Sequence, residues 1–410
     1  MDDLKAKLDE CNKEIALNPN SASAYDKRCD VYLDMEDFNS ALADCNKTIA
    51  LEPNNADYYN ARGWVYYYKI RQVDAAISDY SKAISINSQK SKYFNNRGLA
   101  YLNIGKIDDA IKDFSKGISL DQNVNCYRNR GLAYSMLQKH ELQLSDFQKA
   151  IEINPDNADY YSGRGGAYSG LKKYDKAIAD FNKALTLDPK NSIYYMGRGN
   201  VFIDMEKYDE AILDYNKGIE LDPEDLGYYS IRGSAYLWKK NYDAAIADFN
   251  KILSFNPNDI DALSSRADAY RFKEQYNEAI IDYKKVSEID PNNFNAFYRL
   301  GETNRCLLKW LEARVYLNKA LALDPTNKAA ISSLKAVDSA EEAQKDITKI
   351  YSEVLSSGNA EEQFQLGFML GSGEKGFPQD IEKALNLMLK SAERGYQPAK
   401  DFIEMLEKNK

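Results

Sequence analysis

A stretch of 34 residues, ADYYSGRGGAYSGLKKYDKAIADFNKALTLDPKN from Ala158 to Asn191, recurs along most of this chain, and the next copy, SIYYMGRGNVFIDMEKYDEAILDYNKGIELDPED, follows it directly. A fixed internal period of this length means stacked supersecondary units that share a continuous core. Registering the copies on an Arg-Gly pair and a closing Pro gives nine complete units: 22–55, 56–90, 91–123, 124–157, 158–191, 192–225, 226–259, 260–293 and 294–327. The second unit carries one extra residue between Tyr68 and Ala76, and the third is one residue short. Residues 1–21 read as the second half of a further unit, with Leu4, Leu8, Cys11 and Ile15 on one face.

Within a unit, Tyr161, Arg164, Gly165 and Tyr168 fall at i, i+3, i+4 and i+7, one face of a first helix. Ala177, Phe181, Ala184 and Leu185 do the same for a second helix. Asp188-Pro189 closes the unit, because Pro cannot continue a helix and disfavours helical backbone in the residue before it. Eight of the ten prolines hold this closing place, from Pro19 and Pro53 to Pro291 and Pro325. Gly165 and Ala177 mark where the two helices approach most closely.

These residues carry a resemblance. The order aromatic, small, aromatic, Ala, aromatic, Ala, Pro over 34 residues resembles the tetratricopeptide repeat (TPR) throughout residues 1–327. The resemblance implies an all-α fold, a right-handed α-α superhelical solenoid whose inner surface is lined mainly by first helices and holds a peptide or helix of a partner protein. Some members of that family grip acidic C-termini of chaperones through a clamp of Lys and Asn. Here Asn60 with Trp64, and Asn95 with Leu99, stand where that clamp needs Lys and Asn, so that role is not expected.

Eight units carry Arg on the first helix and Asp on the second, including Arg164 with Asp180 and Arg198 with Asp214, whereas the ninth has Leu300 and Tyr316. Their joint loss predicts that they touch, as a ladder of partly buried ion pairs. The fourth unit departs most: Gln143 replaces the small Ala and His140, the one histidine, replaces an aromatic residue, which predicts a local soft spot. The fifth unit's Ser162, Gly163, Gly166, Ser169 and Gly170 predict a hollow with accessible backbone.

The inward-facing offsets of the resembled family define a candidate partner-binding groove. It comprises Asn60, Trp64, Tyr67, Tyr68, Asn95, Asn96, Leu99, Arg128, Asn129, Leu132 and Met136, with Asn200 and Trp238 further on. Rings supply burial and amides can pair with an extended backbone.

After Asn327 the period stops. Residues 328–358 read as capping and linker helices: one from Ala329 to Val337, then a capping-box spacing at Ser339 and Glu342 opening a second. Residues 359–410, with Leu366, Gly367, a Gly-rich turn through Gly371, Gly373 and Gly376, Phe377-Pro378 and Gly395, resemble a Sel-one-like repeat followed by a terminal helix. The run GSGEKG lacks the GxxxxGK[ST] form of a phosphate loop.

The formal charge of −9 opposes a nucleic-acid partner. No apolar run is long enough to span a bilayer, and the N-terminal residues lack a secretory pattern, so a cytoplasmic location is expected. Cys11, Cys29 and Cys45 hold core slots of the repeat and read as small buried residues, Cys126 and Cys306 are less constrained, and with no CxxC motif or Cys/His cluster disulfides and a zinc site are not expected. No cofactor, metal or catalytic group is expected. The function read from the sequence is a protein-interaction scaffold. End-to-end self-association through the half unit, or service as the regulatory subunit of a separate enzyme, are the alternatives.

Overall fold

A computed structural model describes residues 2–373 and 379–408. The described residues hold 23 α-helices and no strand, arranged as the consecutive helix pairs of a TPR solenoid. They divide into two compact parts, residues 1–235 and 236–410.

The first part opens with α1 (Asp2–Leu17), followed by α2 (Ala22–Asp34) with α3 (Phe38–Leu51), and α4 (Ala56–Trp64) with α5 (Val73–Ile86). Next come α6 (Ser91–Asn103) with α7 (Ile107–Asp121), and α8 (Val124–Met136) with α9 (His140–Ile153). It continues through α10 (Ala158–Gly170) with α11 (Tyr174–Leu187), and α12 (Ser192–Asp204) with α13 (Tyr208–Leu221), into α14 (Leu226–Trp238), within which the division falls. The second part holds α15 (Tyr242–Phe255), α16 (Ile260–Phe272) with α17 (Tyr276–Ile289), and α18 (Phe294–Cys306) with α19 (Trp310–Leu323). The remaining helices are α20 (Lys328–Ser357), α21 (Ala360–Ser372), α22 (Ile381–Glu393) and α23 (Gln397–Lys408).

Asn and Asp side chains set many of the starts. Asn157 accepts from the Asp159 N–H, Asn191 from Ile193 and Asp259 from Ala262, each satisfying an otherwise unpaired N-terminal donor. The turn inside a unit places one residue in left-handed backbone, and that residue is non-Gly in most units, as at Glu36, Lys172, Glu206 and Glu274. Gly105 takes the place in the third unit.

In most units the core slot pairs a small residue with a ring. A methyl at Gly63 would meet the Tyr80 ring, at Gly98 that of Phe114, and at Gly199 that of Tyr215. In the first part, successive first helices approach one another more closely than successive second helices do, as α6 does α8 and α8 does α10. First helices therefore line the tighter side of the stack.

The Arg and Asp side chains meet. Arg164 donates from Nε and Nη2 to Asp180, both at 2.7 Å, and Arg198 donates to Asp214 at 2.9 and 2.6 Å. Arg28–Asp44, Arg62–Asp79, Arg97–Asp113, Arg130–Asp146 and Arg266–Asp282 repeat the two-pronged geometry. The remaining prong reaches the preceding unit: Arg164 Nη1 donates to Gln148, Arg198 Nη1 to Asn182 and Arg62 Nη1 to Asn46. The Arg164 guanidinium also lies 5.5 Å from the Tyr161 ring centroid and 6.0 Å from that of Tyr168. One side chain thus ties three helices, binding unit to unit as well as helix to helix.

Two expectations are corrected. Residues 328–357 form one uninterrupted helix in place of two, because no Gly or Pro interrupts it and Ser339 lies within it. Its ends are set by Asn327, which caps Ala330, and by Gly358 in left-handed backbone.

The fourth unit's two unusual residues are hydrogen-bonded in place. Gln143 is 3% exposed and donates from Nε2 to the Gly163 carbonyl at 3.1 Å, while its Oε1 faces His140 Nδ1 at 3.3 Å. That direction makes the histidine nitrogen the donor.

The hollow on α10 is filled from α9: methyls at Gly163 and Gly170 would collide with the Phe147 and His140 rings. Large residues on one helix are matched by missing side chains on the next.

At the C-terminal end, α21 packs on α22 where Gly367 faces the Ala384 carbonyl and Met388. Gly371 lies in the last turn of α21 and Gly373 caps it in left-handed backbone. Gly376, Phe377 and Pro378 lie outside the described residues. No described helix is long and apolar enough to cross a membrane.

Candidate partner-binding face

The candidate face belongs to α4, α6 and α8 and the segment after α4. Residues 65–70, VYYYKI, form a π-helical turn that continues α4 to Arg71 in left-handed backbone. This is where the second unit's extra residue goes, since a π turn absorbs one insertion without shifting the register of the flanking helix. The widened turn carries the aromatic cluster. Trp64 and Tyr68 rings lie 5.1 Å apart, Tyr67 and Tyr68 meet edge to face at 4.6 Å, and the Tyr67 hydroxyl donates to the Leu99 carbonyl at 3.3 Å. Tyr68 is exposed, while Trp64 rests half-buried on the core of the first unit under the Lys69 ammonium.

The amides form a directed relay. Arg128 Nη1 donates to Asn129 Oδ1 at 3.2 Å, Asn129 Nδ2 to Asn95 Oδ1 at 2.9 Å, Asn95 Nδ2 to Asn96 Oδ1 at 3.4 Å, and Asn96 Nδ2 to Asn60 Oδ1 at 3.0 Å. Arginine has no acceptor, so its presence at one end fixes the orientation of every amide after it. All four amide oxygens are used within the protein. Both amide hydrogens of Asn60 and one each of Asn95 and Asn96 remain for a ligand.

Asn60, Asn95, Asn96 and Arg128 are thus brought together, beside Trp64, Tyr67, Tyr68 and the half-buried Leu99. Asn129 is 4% exposed, so its place on a partner-contacting surface is corrected: it faces Asn95 on α6 and acts as a link in the relay. Leu132 and Met136 are exposed on α8. Asn200 lies further along, exposed, where it accepts from the Tyr215 hydroxyl at 2.8 Å. Trp238, half exposed, is in the other compact part.

Sequence reasoning missed the relay's polarity, although Arg128 beside Asn129 was a visible signal for it. It also missed a contact beneath Trp64, where the Cys29 and Cys45 sulfurs lie 2.7 Å apart.

The first unit adds a negative edge, Asp26 on α2. Burial, then the neighbouring charges of Asp30 and Asp57, pushes its carboxyl above the usual range. A carboxyl with a raised folded pKa favours folding when protonated, and that contribution is lost as pH climbs through the raised value. Asp26→Asn is therefore expected to raise the Tm near neutral pH and to leave it unchanged at about pH 3, below the ordinary carboxylate range. Equal shifts at both pH values would assign the effect to something other than charge.

Among the described residues no group of His, Cys, Asp and Glu is placed to hold a metal ion. Family profiles described as tetratricopeptide repeat match residues 91–124, 158–191 and 192–225, residues 124–157 and 226–259, and residues 28–91. A further profile described as TPR repeat matches 267–304.

Similar solved structures include YrrB, described as a TPR protein with an unusual peptide-binding site (27% identity, 46% of this chain and 97% of that one, TM-score 0.41). A tetratricopeptide repeat protein from Parabacteroides merdae is 20% identical, over 60% of this chain and 98% of its own, with a TM-score of 0.45. TTC0263 from Thermus thermophilus is 24% identical, over 44% and 99%, with a TM-score of 0.39. No curated protein matches the sequence significantly. With profile matches running through residues 28–259 and 267–304, the chain belongs to the tetratricopeptide-repeat family, whose members are generally protein-interaction scaffolds.

Proposed function

We propose that this protein is a non-catalytic scaffold that holds an extended segment of a partner protein along α4, α6 and α8. The observation that carries the reading is the relay that orients four amides and leaves hydrogens of Asn60, Asn95 and Asn96 for a ligand beside the rings. A face with unpaired amide hydrogens beside an exposed ring suits a ligand rich in acceptors, and the backbone carbonyls of an extended chain supply them at regular intervals. The rings of Trp64 and Tyr68 supply the apolar contact that fixes such a segment in place. The reading places the protein in the cytosol, where five unbridged cysteines suit a reducing compartment. The α21–α22 hairpin, with Gly367 at its crossing and Gly395 in left-handed backbone after it, is read as a Sel-one-like repeat appended to the array.

The test is affinity capture from the native cell with the parent protein, with Trp64→Ala/Tyr67→Ala, and with Asn60→Asp, followed by titration of the captured partner. Asn60→Asp replaces two donors by acceptors and adds a charge, so it is expected to weaken the same partner that the double variant loses. The expected loss is roughly tenfold or more, the scale of a buried aromatic anchor. Unchanged binding by both variants, with their helical content intact, would move the binding surface elsewhere.

A further inference from the structure

We infer that Cys29 and Cys45 are a redox-sensitive pair that closes into a disulfide across the α2–α3 hairpin. Cys29 is 2% exposed and Cys45 1%, and their sulfurs lie 2.7 Å apart, well inside the contact distance of two unbonded sulfur atoms. Closing to about 2.05 Å, the length of a disulfide, needs only a small further approach.

The rest of the array shows why these two positions meet. Cys29 holds the place of Gly63, Gly98, Gly131, Gly165 and Gly199, and Cys45 holds the place of the ring that packs against each of those glycines. At each of those glycines an added methyl would run into the ring, so the two helix backbones stand close at this slot. Where those units put no side chain opposite a ring, the first unit puts one thiol opposite another. Cys11, Cys126 and Cys306 are not so placed.

The chemistry is thiol–disulfide exchange with a small-molecule disulfide. One cysteine loses its proton, its thiolate attacks a sulfur of the reagent and expels one small thiolate. The second cysteine, deprotonated in turn, attacks the mixed disulfide and expels the other. Two protein thiols and one small disulfide become one protein disulfide and two small thiols. The Cys45 contact and burial both push the Cys29 thiol up, so little thiolate forms in the closed hairpin. Exchange is therefore slow and proceeds through local opening of the hairpin. The pair shares its core with Ala41 and Val65, against which Trp64 packs. Oxidation stiffens the support under that ring, and any effect on partner affinity rests on the function proposed above.

The full chain is equilibrated with oxidised glutathione, quenched in acid, denatured, alkylated and weighed. A parallel sample is held in urea at a concentration that leaves its circular dichroism native, so that the hairpin opens more often. The expected result is three alkylatable thiols in place of five, a peptide joining Cys29 to Cys45, and faster conversion in urea. The oxidised protein is expected to melt at a higher temperature than the reduced one. Cys29→Ser is expected to abolish both the cross-link and the shift in melting. Five free thiols in both samples, or a bridge joining other cysteines, would overturn the inference. The thiol count reads the bond directly, whatever becomes of partner binding.

Discussion

Arg164→Leu is expected to destabilise the protein by about 3–5 kcal/mol, the cost of leaving a buried charge without its partner. Asp180 is 6% exposed, and both of its oxygens accept from Arg164. Leucine would remove those two hydrogen bonds, the bond to Gln148 on the preceding unit, and the cation between the Tyr161 and Tyr168 rings.

The pair is not expected to be stabilising in itself. At the equivalent place in the fourth unit, burial pushes the Asp146 carboxyl up against the opposing pull of its Arg130 hydrogen bond, so desolvation rivals pairing. Arg164→Leu/Asp180→Tyr copies the ninth unit, where Leu300 is fully buried and Tyr316 packs beside the same core. The double variant should recover most of the loss. Urea unfolding of the parent, both single variants and the double variant completes the cycle. Because stability in a repeat array is a sum of unit and interface terms, the single variant should also split the transition by melting the fifth unit early. A single variant as stable as the parent would mean the charges are solvated and the ladder is not structural.

The ladder also marks how far residues alone could be read. Helix pairing was legible because the pattern is written nine times, and the joint loss of Arg and Asp in the ninth unit revealed their contact. The third prong was missed although its acceptor recurs as Asn12, Asn46, Asn182, Asn216 and Asn250, with Ser81, Ser115 and Gln148 in the three units between. Each Arg was matched only within its own unit, and this acceptor lies in the unit before it.

The candidate face was legible as a set of residues, since Asn60, Trp64 and Tyr68 follow helical spacing. It was not legible as a hydrogen-bond circuit, because an amide's orientation depends on a donor in the neighbouring helix. Residues 328–357 misled for a related reason: Ser339 and Glu342 fit a cap, but capping residues end a helix only where the chain turns. The Cys29–Cys45 contact was hidden by reading each cysteine against its own column, not against the residue that packs on it.

The same lesson predicts opposite outcomes for two glycines three residues apart on α10. Glycine in the middle of a helix costs roughly 0.5–1 kcal/mol relative to alanine, so propensity alone favours alanine at both Gly163 and Gly166. At Gly166 a methyl would find the Gln143 amide at 3.7 Å, an ordinary contact, and Gly166→Ala is expected to stabilise by about that amount. At Gly163 a methyl would enter the Phe147 ring, which is 1% exposed. The ring cannot move aside, because its opposite edge already lies against Gly131 of its own unit, where a methyl would stand 2.9 Å away. Phe147 is held between two helices that both lack a side chain there, and the interface between the fourth and fifth units closes around it. Gly163→Ala is expected to cost about 1–3 kcal/mol, the usual penalty for overpacking, in spite of the gain in helix propensity. Melting temperatures of the two variants, measured side by side, should move in opposite directions. A rise in both would mean that α9 and α10 slide past one another readily, and that the large and small residues of the fourth and fifth units are not matched across their interface.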